Sequence, residues 1–362
     1  MFGWVINLRI FIAGRMHTNN MKESYRNIGR AHWLKNFYDY LMHKKHVCFI
    51  FLLLLNQTGL AQNSPFKILD ASFLQLVDTS EKVQKIAGVF GFLEGPLWSK
   101  DGYLMVSDLR GNKIYKIGKD SKTEVLIERS GFTGTDTVGL PMDYGSNGLA
   151  YDRQGNILVC QHGDHAIAMI TKDGTMRTVV GSYKGKRLNS PDDLAVKRDG
   201  SIYFTDPPYG FKNGDKDGHK AQGQNGIYQF NNDSLTLLST DYRYPNGIAF
   251  SPDEKYLYVC SYDLNELMRR YEVADDGTLK NGKIFSTIIG DGLKVDSRGN
   301  VYLCNWQGVH VFSPGGKEIG LIALGESVTN LNWGDEDYKA LYIVAASNIY
   351  KVRMKIPGLN HK

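Results

Sequence analysis

The residues best suited to chemistry are six that hold the same place in a recurring sequence pattern. Each begins a short apolar segment and offers a side-chain oxygen, and none is basic: Glu94, Asn147, Asp192, Asn246, Asp291 and Asn330. If they converge in the fold, three carboxylates meet, and like charges at close range cannot all stay ionised unaided. A hard divalent cation resolves this conflict, since calcium takes roughly six to eight oxygen ligands. We therefore expect a metal site for Ca²⁺, with Zn²⁺, Mg²⁺ or Mn²⁺ as alternatives.

A structural explanation of the same residues competes with this one. Asn and Asp at strand starts often serve only as local hydrogen-bonding turn residues. For any single position that interpretation stays open. For the whole set it is less favoured, because structural repeats tend to keep one residue type, whereas Glu, Asn and Asp alternate here.

The pattern around these residues is that of a β-hairpin. Each copy has a polar residue, usually followed by Gly, then an apolar strand, a turn such as KDG, QGN, RDG or RGN, and a second apolar strand. Such turns favour hairpins. Further short strands follow, in NKIYKIG, HAIAMIT, NGIYQFN and NIYKVRM. Six units of roughly 40–50 residues with about four strands each are typical of propeller blades. We expect an all-β, six-bladed β-propeller with four-stranded antiparallel blades, in one domain over residues 62–362.

Hairpin symmetry returns a second set of side chains to the same rim. Counting outward from the turn around Gln154 places His162 opposite Asn147. The same count brings four further polar residues to that rim: Asp108, Asp206, Ser261 and Asn305. A histidine beside a metal-lined mouth is suited to act as a general base or to bind substrate. The alternative is a solvated loop histidine.

The first 61 residues do not continue the pattern. Residues 42–46 are basic, residues 47–55 form an apolar run of nine, and small residues follow at Gly59 and Ala61. This order predicts a signal peptide over residues 42–61, cleaved after Ala61. Nine apolar residues are too few to span a bilayer, which takes about 20. We expect an exported protein, periplasmic or secreted, with no membrane span after cleavage, and we interpret residues 1–41 as a non-native extension.

Removing this leader changes the charge of the chain. The net +6 of residues 1–61, subtracted from the formal +5 of the whole chain, leaves −1. The basic character therefore belongs to the leader, and nothing in the remainder points to a nucleic-acid partner. We expect a small-molecule substrate and a monomer or weak oligomer.

Three cysteines remain after the leader, namely Cys160, Cys260 and Cys304. Each lies at the end of an apolar strand in the same motif, in ILVC, LYVC and VYLC. Equivalent positions in separate repeats are unsuited to pairing. We expect small buried core residues and no disulfide framework.

The repeats, in order, resemble the gluconolactonase and regucalcin (senescence marker protein) family of calcium-dependent propellers. The resemblance runs from Glu94 to Arg353 through EGPLW, SNGLAYDRQGNILVCQHGD, GKRLNSPDDLAVKRDGSIYFTDPPYG, YPNGIAFSPDEKYLYV, DGLKVDSRGNVYL and GVHVFSPGGK, and is nearest to the bacterial lactonase branch. It implies a metal bound by Glu94, Asn246 and Asp291, with Asp192 as a fourth ligand and Asp291 also catalytic. It further implies four residues near the substrate: Asn147, Arg187, Asn189 and Tyr209.

Two departures from the family bear on the site. The chain has Ser190-Pro191-Asp192-Asp193 where bacterial relatives usually have SPND, which adds a negative charge. It also has Trp306 where relatives tend to be Gly-rich, so substrate preference does not transfer.

These observations predict metal-dependent hydrolysis of a sugar lactone such as an aldono-lactone. The metal would polarise the lactone carbonyl, and Asp291 or His162 would take a proton from the attacking water. The chain has no G-x-S-x-G, H-E-x-x-H or C-x-x-C motif, which agrees with a mechanism without a covalent nucleophile. Two alternatives remain: an aryl-ester hydrolase of paraoxonase type, and a propeller that only binds.

Overall fold

The computed structural model describes residues 64–359. The predicted extension (1–41) and signal peptide (42–61) lie outside the described residues. Two strands, β1 (Phe66–Ile68) and β2 (Gln84–Gly88), precede the first blade, and a 3₁₀ helix, Ala71–Gln75, lies between them. None of the helices in the described part of the chain is long and apolar enough to cross a membrane.

The first three blades are regular four-stranded antiparallel sheets. Blade 1 contains β3 (Leu93–Ser99), β4 (Tyr103–Asp108), β5 (Lys113–Ile117) and β6 (Thr123–Glu128). Blade 2 contains β7 (Ser146–Tyr151), β8 (Ile157–Gln161), β9 (Ala166–Ile170) and β10 (Met176–Val180). A small hairpin follows, β11 (Ser182–Tyr183) and β12 (Lys186–Arg187). Blade 3 contains β13 (Leu194–Val196), β14 (Ile202–Asp206), β15 (Gly226–Asn231) and β16 (Ser234–Ser239), with a 3₁₀ helix, Gly214–Lys216, between β14 and β15.

Blade 4 has the same form, with β17 (Pro245–Phe250), β18 (Tyr256–Ser261), β19 (Met268–Val273) and β20 (Leu279–Ser286). Blade 5 contains β21 (Leu293–Val295), β22 (Val301–Asn305), β23 (Gly308–Phe312) and β24 (Glu318–Ile322), and β1 adds a fifth strand beside β24. Blade 6 contains β25 (Asn330–Gly334), β26 (Ala340–Ala345) and β27 (Asn348–Arg353). Its fourth, outer strand is β2, which pairs antiparallel with β27. The six-bladed propeller is confirmed, and its ring is closed by a strand from the N-terminal side of the repeats.

The core is divided among the interfaces between blades. Each of six hydrophobic clusters joins one blade to the next, and the cluster between blades 1 and 2 includes Met105 and Val159. Alternate residues of a strand face opposite sides of its sheet, so each blade can contribute to two clusters. The cluster between blades 5 and 6 also takes in Phe73, which is fully buried. Cys160, Cys260 and Cys304 are buried and unbridged, as predicted.

Candidate functional site

The first strands of neighbouring blades are bonded to one another at the rim that carries the predicted ligands. The Gly148 N–H donates to the Asp192 carbonyl oxygen at 2.8 Å, and the Gly247 N–H donates to that of Asp291 at 3.1 Å. The predicted position, at the very start of each strand, needs a small correction. Three residues, Glu94, Asn147 and Asn246, are second in their strands, Asn330 is first, and Asp192 and Asp291 precede theirs by two residues.

The glycine that usually follows the polar residue allows this close approach. A Cβ on Gly247 would lie 2.5 Å from the Asp291 carbonyl oxygen, and one on Gly148 would lie 2.8 Å from the Asp193 Cα. Real side chains do not tolerate such distances, so only glycine lets one blade lie this near the next. The glycine was visible in the repeat, but its role depends on contacts between blades.

Three of the predicted residues form a group of buried carboxylates. Glu94 and Asp192 are each 3% exposed, whereas Asp291 is only partly buried. Burial raises the pKa of Glu94 well above its usual range, and the charges of Asp291 and Asp192 raise it further. Crowding by protein likewise raises the pKa of the Asp291 carboxyl group; Asp192 adds to this shift and the Asn246 side chain opposes it. The structure thus brings together Glu94, Asp192, Asn246 and Asp291.

Hydrogen bonds satisfy these carboxylates only in part. The Glu94 Oε2 accepts from the Gly95 N–H at 2.9 Å and from the Asn330 Nδ2 at 2.8 Å. The Asp192 Oδ1 accepts from the Asn147 Nδ2 at 2.8 Å. Mutual repulsion among buried carboxylates is unfavourable unless a cation or a proton offsets it.

His162 is buried, 1% exposed, and is not the solvated loop residue of the alternative interpretation. Its Nδ1 lies 3.1 Å from the Asp143 carbonyl oxygen, which can only accept, so Nδ1 carries a hydrogen in this contact. Its Nε2 lies 3.2 Å from the Asp192 Oδ1 and 3.4 Å from the Asn147 Nδ2. His162 therefore contacts the cluster of three carboxylates through Asp192.

The donor set fits a hard cation only if amide oxygens take part. Within residues 64–359, no three His, Cys, Asp or Glu side chains are grouped so that they could hold a metal ion on their own. The Asn147 Oδ1 is buried and has no hydrogen-bond partner among the described residues. An unpartnered buried amide oxygen beside carboxylates is unfavourable in isolation. It suits a cation with oxygen ligands, so the residues present fit the predicted metal.

A partly buried ion pair lies beside these carboxylates. The Lys294 Nζ is 2.9 Å from the Asp193 Oδ2, and the two residues belong to blades 5 and 3. Lys294 also lowers the pKa of Asp192, although burial sets the net direction upward. Lys294 was not predicted. A lysine in an otherwise apolar first strand was the available signal.

The residues predicted to lie near the substrate fall into two groups. Tyr209 stacks on Tyr244 with ring centroids 6.1 Å apart. Burial raises the pKa of Tyr209, with Asp192 and Asp291 adding to the rise and the Asn246 side chain opposing it. Tyr209 therefore lies near Asp192 and Asp291, and Asn147 also lies there, bonded to Asp192.

Asn189 and Arg187 are held instead by the loop over residues 207–225. The Asn189 Nδ2 contacts the Gln224 carbonyl oxygen at 2.9 Å and the Asn225 Oδ1 at 3.0 Å. Its Oδ1 is buried without a partner among the described residues. Arg187 is exposed, and its guanidinium lies 3.5 Å from the His219 carbonyl oxygen.

The carboxylates at the ends of the second strands have a different role. The Asp108 side chain accepts from the backbone N–H groups of Gly91, Phe92 and Gly111 at 2.9–3.0 Å. Asp206 accepts from the backbone N–H groups of Asn189 and Ser190. Each aspartate therefore ties the loops at the mouth of its own blade. His162, at the end of the second strand of blade 2, differs from these two aspartates because it contacts Asp192, one of the three clustered carboxylates.

Comparison with known proteins agrees with this architecture. Residues 92–347 match the SMP-30/gluconolactonase/LRE-like region. A gluconolactonase of Zymomonas mobilis is 32% identical over 300 residues, which cover 78% of this chain and 84% of that protein. The diisopropyl-fluorophosphatase of Loligo vulgaris is 23% identical over 243 residues, 62% of this chain and 75% of that protein.

A solved structure is also similar. It is that of a gluconolactonase from Xanthomonas campestris, with 28% identity and a TM-score of 0.71, covering 80% of this chain and 95% of that one. The family match spans more than half of the sequence, and its boundaries enclose all six positions from Glu94 to Asn330. This chain therefore belongs to the SMP-30/gluconolactonase/LRE-like family of six-bladed propellers.

Proposed function

We propose that this protein hydrolyses lactones, specifically sugar lactones of the aldono-lactone type, with a bound divalent cation, Ca²⁺ in the first instance. The family and the gluconolactonase relatives support lactone hydrolysis. The observation that carries the proposal is a set of mutually repelling carboxylates at the starts of the first strands, two of them buried and one partly buried. Beside them lies an amide oxygen without a partner among the described residues.

Four residues would hold the cation: Glu94, Asn246, Asp291 and Asp192. A bound divalent ion supplies Lewis acidity, which polarises a lactone carbonyl and stabilises negative charge on its oxygen. The extra charge of Asp192, compared with an asparagine at this position, favours tight cation binding. Lys294 offsets part of the negative charge through Asp193.

Asp291 is the better placed of the two candidate bases. It is the most exposed of the three carboxylates, so it is the one that an attacking water reaches most readily. His162 already has its Nε2 against Asp192 and its Nδ1 against a backbone carbonyl. We therefore assign proton removal from water to Asp291, and to His162 the role of orienting Asp192 and Asn147.

The remaining residues would position the substrate. The Asn189 Oδ1 would accept from a sugar hydroxyl, and Asn147 would contact the substrate beside the cation that its own Oδ1 faces. Tyr209 would border the lactone on the side of blades 3 and 4, and exposed Arg187 would contact groups farther from the ring.

A panel of lactones and aryl esters, assayed with added metal and after chelation, tests the proposal. We expect turnover of glucono-lactone that disappears in chelator and returns with Ca²⁺; Zn²⁺, Mg²⁺ and Mn²⁺ in parallel would identify the effective ion. Equal turnover in chelator would remove the metal from the mechanism. No turnover of any substrate would favour a propeller that only binds.

Hydrolysis of aryl or phosphate esters is the second candidate. The similarity to the diisopropyl-fluorophosphatase of Loligo vulgaris supports it, as does the contact of His162 with Asp192. A preference in the same panel for paraoxon or phenyl acetate over every lactone would establish this alternative.

We also propose export, with the mature chain beginning at Gln62. The support is the sequence order of residues 42–61 alone. N-terminal sequencing of the protein recovered from cell fractions tests it. A start at Met1 or Met42 in the cytosolic fraction would contradict it.

A further inference from the structure

Exposed aromatic side chains border the channel mouth beside Asp291. Trp306 is 49% exposed and Tyr262 is 37% exposed. They follow β22 and β18, the second strands of blades 5 and 4, so they stand at the same rim as the carboxylates. Their ring centroids are 6.1 Å apart at an interplanar angle of 75°. Contiguous apolar area that is exposed to solvent often marks a binding site.

The pair is continuous with the site described above. The backbone beside each aromatic residue is bonded to the backbone at Asp291: the Gly290 N–H donates to the Ser261 carbonyl oxygen at 3.0 Å, and the Asp291 N–H donates to the Cys304 carbonyl oxygen at 2.8 Å. Tyr209, which lies with the carboxylates, stacks on Tyr244. A ligand whose reacting group lies at Asp291 would therefore extend over an aromatic surface.

The charges around the pair select against an anionic occupant. The segment from Tyr262 to Leu267 carries Asp263 and Glu266 and no basic residue, and Trp306 is followed by Gln307. The Arg243 guanidinium lies over the Tyr244 ring but is paired with Asp215 at 2.8 Å. The carboxylate group below adds further negative charge. A neutral ligand with one apolar face and several hydroxyl groups suits aromatic faces flanked by amides and carboxylates, because Trp and Tyr bind ligands that are apolar on one side and wet on the other.

We propose that Trp306 and Tyr262 form a subsite for a second, neutral sugar ring, so that the preferred substrates are disaccharide aldono-lactones. This rests on the proposed function, since the lactone ring is taken to lie at Asp291. The second ring packs against Trp306, and its hydroxyl groups reach the side chains of Gln307 and Asn265.

The test compares cellobiono-lactone with glucono-lactone as the ratio of their kcat/KM values, using the full mature chain with metal. We expect a wild-type ratio of about ten, which corresponds to the stacking contribution of one aromatic side chain. In Trp306→Ala the ratio should fall to about one, and in Trp306→Phe it should remain intermediate. Ile284→Ala, which removes another exposed apolar side chain on the outer strand of blade 4, should leave the ratio unchanged.

Two results would overturn the subsite while leaving the proposed function intact. One is a wild-type ratio near one; the other is an unchanged ratio in Trp306→Ala, in both cases with glucono-lactone hydrolysed. A phenyl-substituted lactone that depends on Trp306 more strongly than cellobiono-lactone would replace the sugar with an aryl group and overturn the assignment.

A binding measurement keeps the two proposals separable if no lactone is hydrolysed. Cellobiose at millimolar concentration should quench the tryptophan fluorescence of the wild type, and this quench should disappear in Trp306→Phe. Absence of a Trp306-dependent quench would overturn the subsite, whatever the enzyme assay shows.

Discussion

Buried carboxylates occur at two places on one rim, and their surroundings differ. At the ends of the second strands, Asp108 accepts three backbone hydrogen bonds and Asp206 accepts two. At the starts of the first strands, Glu94 accepts from one backbone N–H and one amide and lies near other carboxylates. The first group is hydrogen-bonded by the backbone of the loops that it holds. The second repels itself, so it is the group that gains from a cation.

The contrast is sharpest within blade 3, where both kinds occur. Asp206 accepts hydrogen bonds from the backbone N–H groups of Asn189 and Ser190, in the loop that precedes β13. Asp192 instead contacts Asn147 and His162 of the neighbouring blade. Residue type and burial are the same. The two aspartates differ in the direction of their contacts: Asp206 holds the loops of its own blade, whereas Asp192 contacts the neighbouring blade and belongs to the candidate site.

The largest effect should follow from removing a charge at the first-strand starts. We expect Asp291→Asn to lower kcat/KM for glucono-lactone by about a thousandfold, because it removes the proposed general base and one of the proposed ligands. In chelator the same variant should unfold at an equal or higher temperature, because repulsion is relieved. Steady-state kinetics and thermal unfolding measure both. Full activity in Asp291→Asn would show that the reacting centre lies elsewhere.

The opposite outcome is expected at the second-strand ends. Asp108→Ala leaves three backbone N–H groups without their acceptor and should lower the free energy of unfolding by about 3 kcal/mol. Its kcat per folded molecule should stay within about threefold of wild type. Denaturant unfolding and active-site-normalised kinetics test this prediction. A variant that keeps its stability and loses its activity would erase the distinction between the two groups.

Separating the blades should affect stability and metal binding together. A Cβ at Gly247 meets the Asp291 carbonyl oxygen at 2.5 Å. We expect Gly247→Ala to destabilise the fold by about 2 kcal/mol and to weaken Ca²⁺ binding about tenfold, measured by calorimetry. Gly218→Ala is the matched control, because its Cβ would meet nothing within 4 Å. Unaltered calcium binding in Gly247→Ala would show that the ring geometry is not what sets affinity.

The smallest effect concerns pH. Burial raises the pKa of Asp206 from 3.8 to about 7. Between these values the folded protein binds more protons than the unfolded chain, so this group stabilises most at low pH and its contribution declines as pH rises toward 7. We expect the free energy of unfolding to fall more steeply from pH 5 to pH 7 in wild type than in Asp206→Asn, by about 1 kcal/mol per pH unit at most. Parallel slopes in urea titrations would contradict the shift.

The fold was predictable because each hairpin is encoded locally. Turn residues and alternating apolar strands recur in every unit, and the short strands between them, such as Lys113–Ile117 and Asn348–Arg353, were visible as well. The added strands β1 and β2 were not, because they lie before the repeats and pair with strands more than 200 residues away.

The site was predictable as a set of positions and not as a set of contacts. The common place of Glu94 and Asp291 in the repeat was enough to predict that they converge. The attachment of His162 to Asp192, and the pairing of Lys294 with Asp193, depend on how neighbouring and distant blades meet across the mouth. A one-dimensional repeat carries no information on that arrangement.

The pairing of Gln84–Gly88 with Asn348–Arg353 has a consequence for biosynthesis. The two strands lie far apart in the chain, so β2 is synthesised long before its partner β27. Until β27 has been translated, β2 remains unpaired, and unpaired strand edges can pair with other chains. Glu94 likewise receives its bond from Asn330 only at that late stage. A product that ended before blade 6 would therefore lack both the outer pairing of β2 and the bond from Asn330 to Glu94.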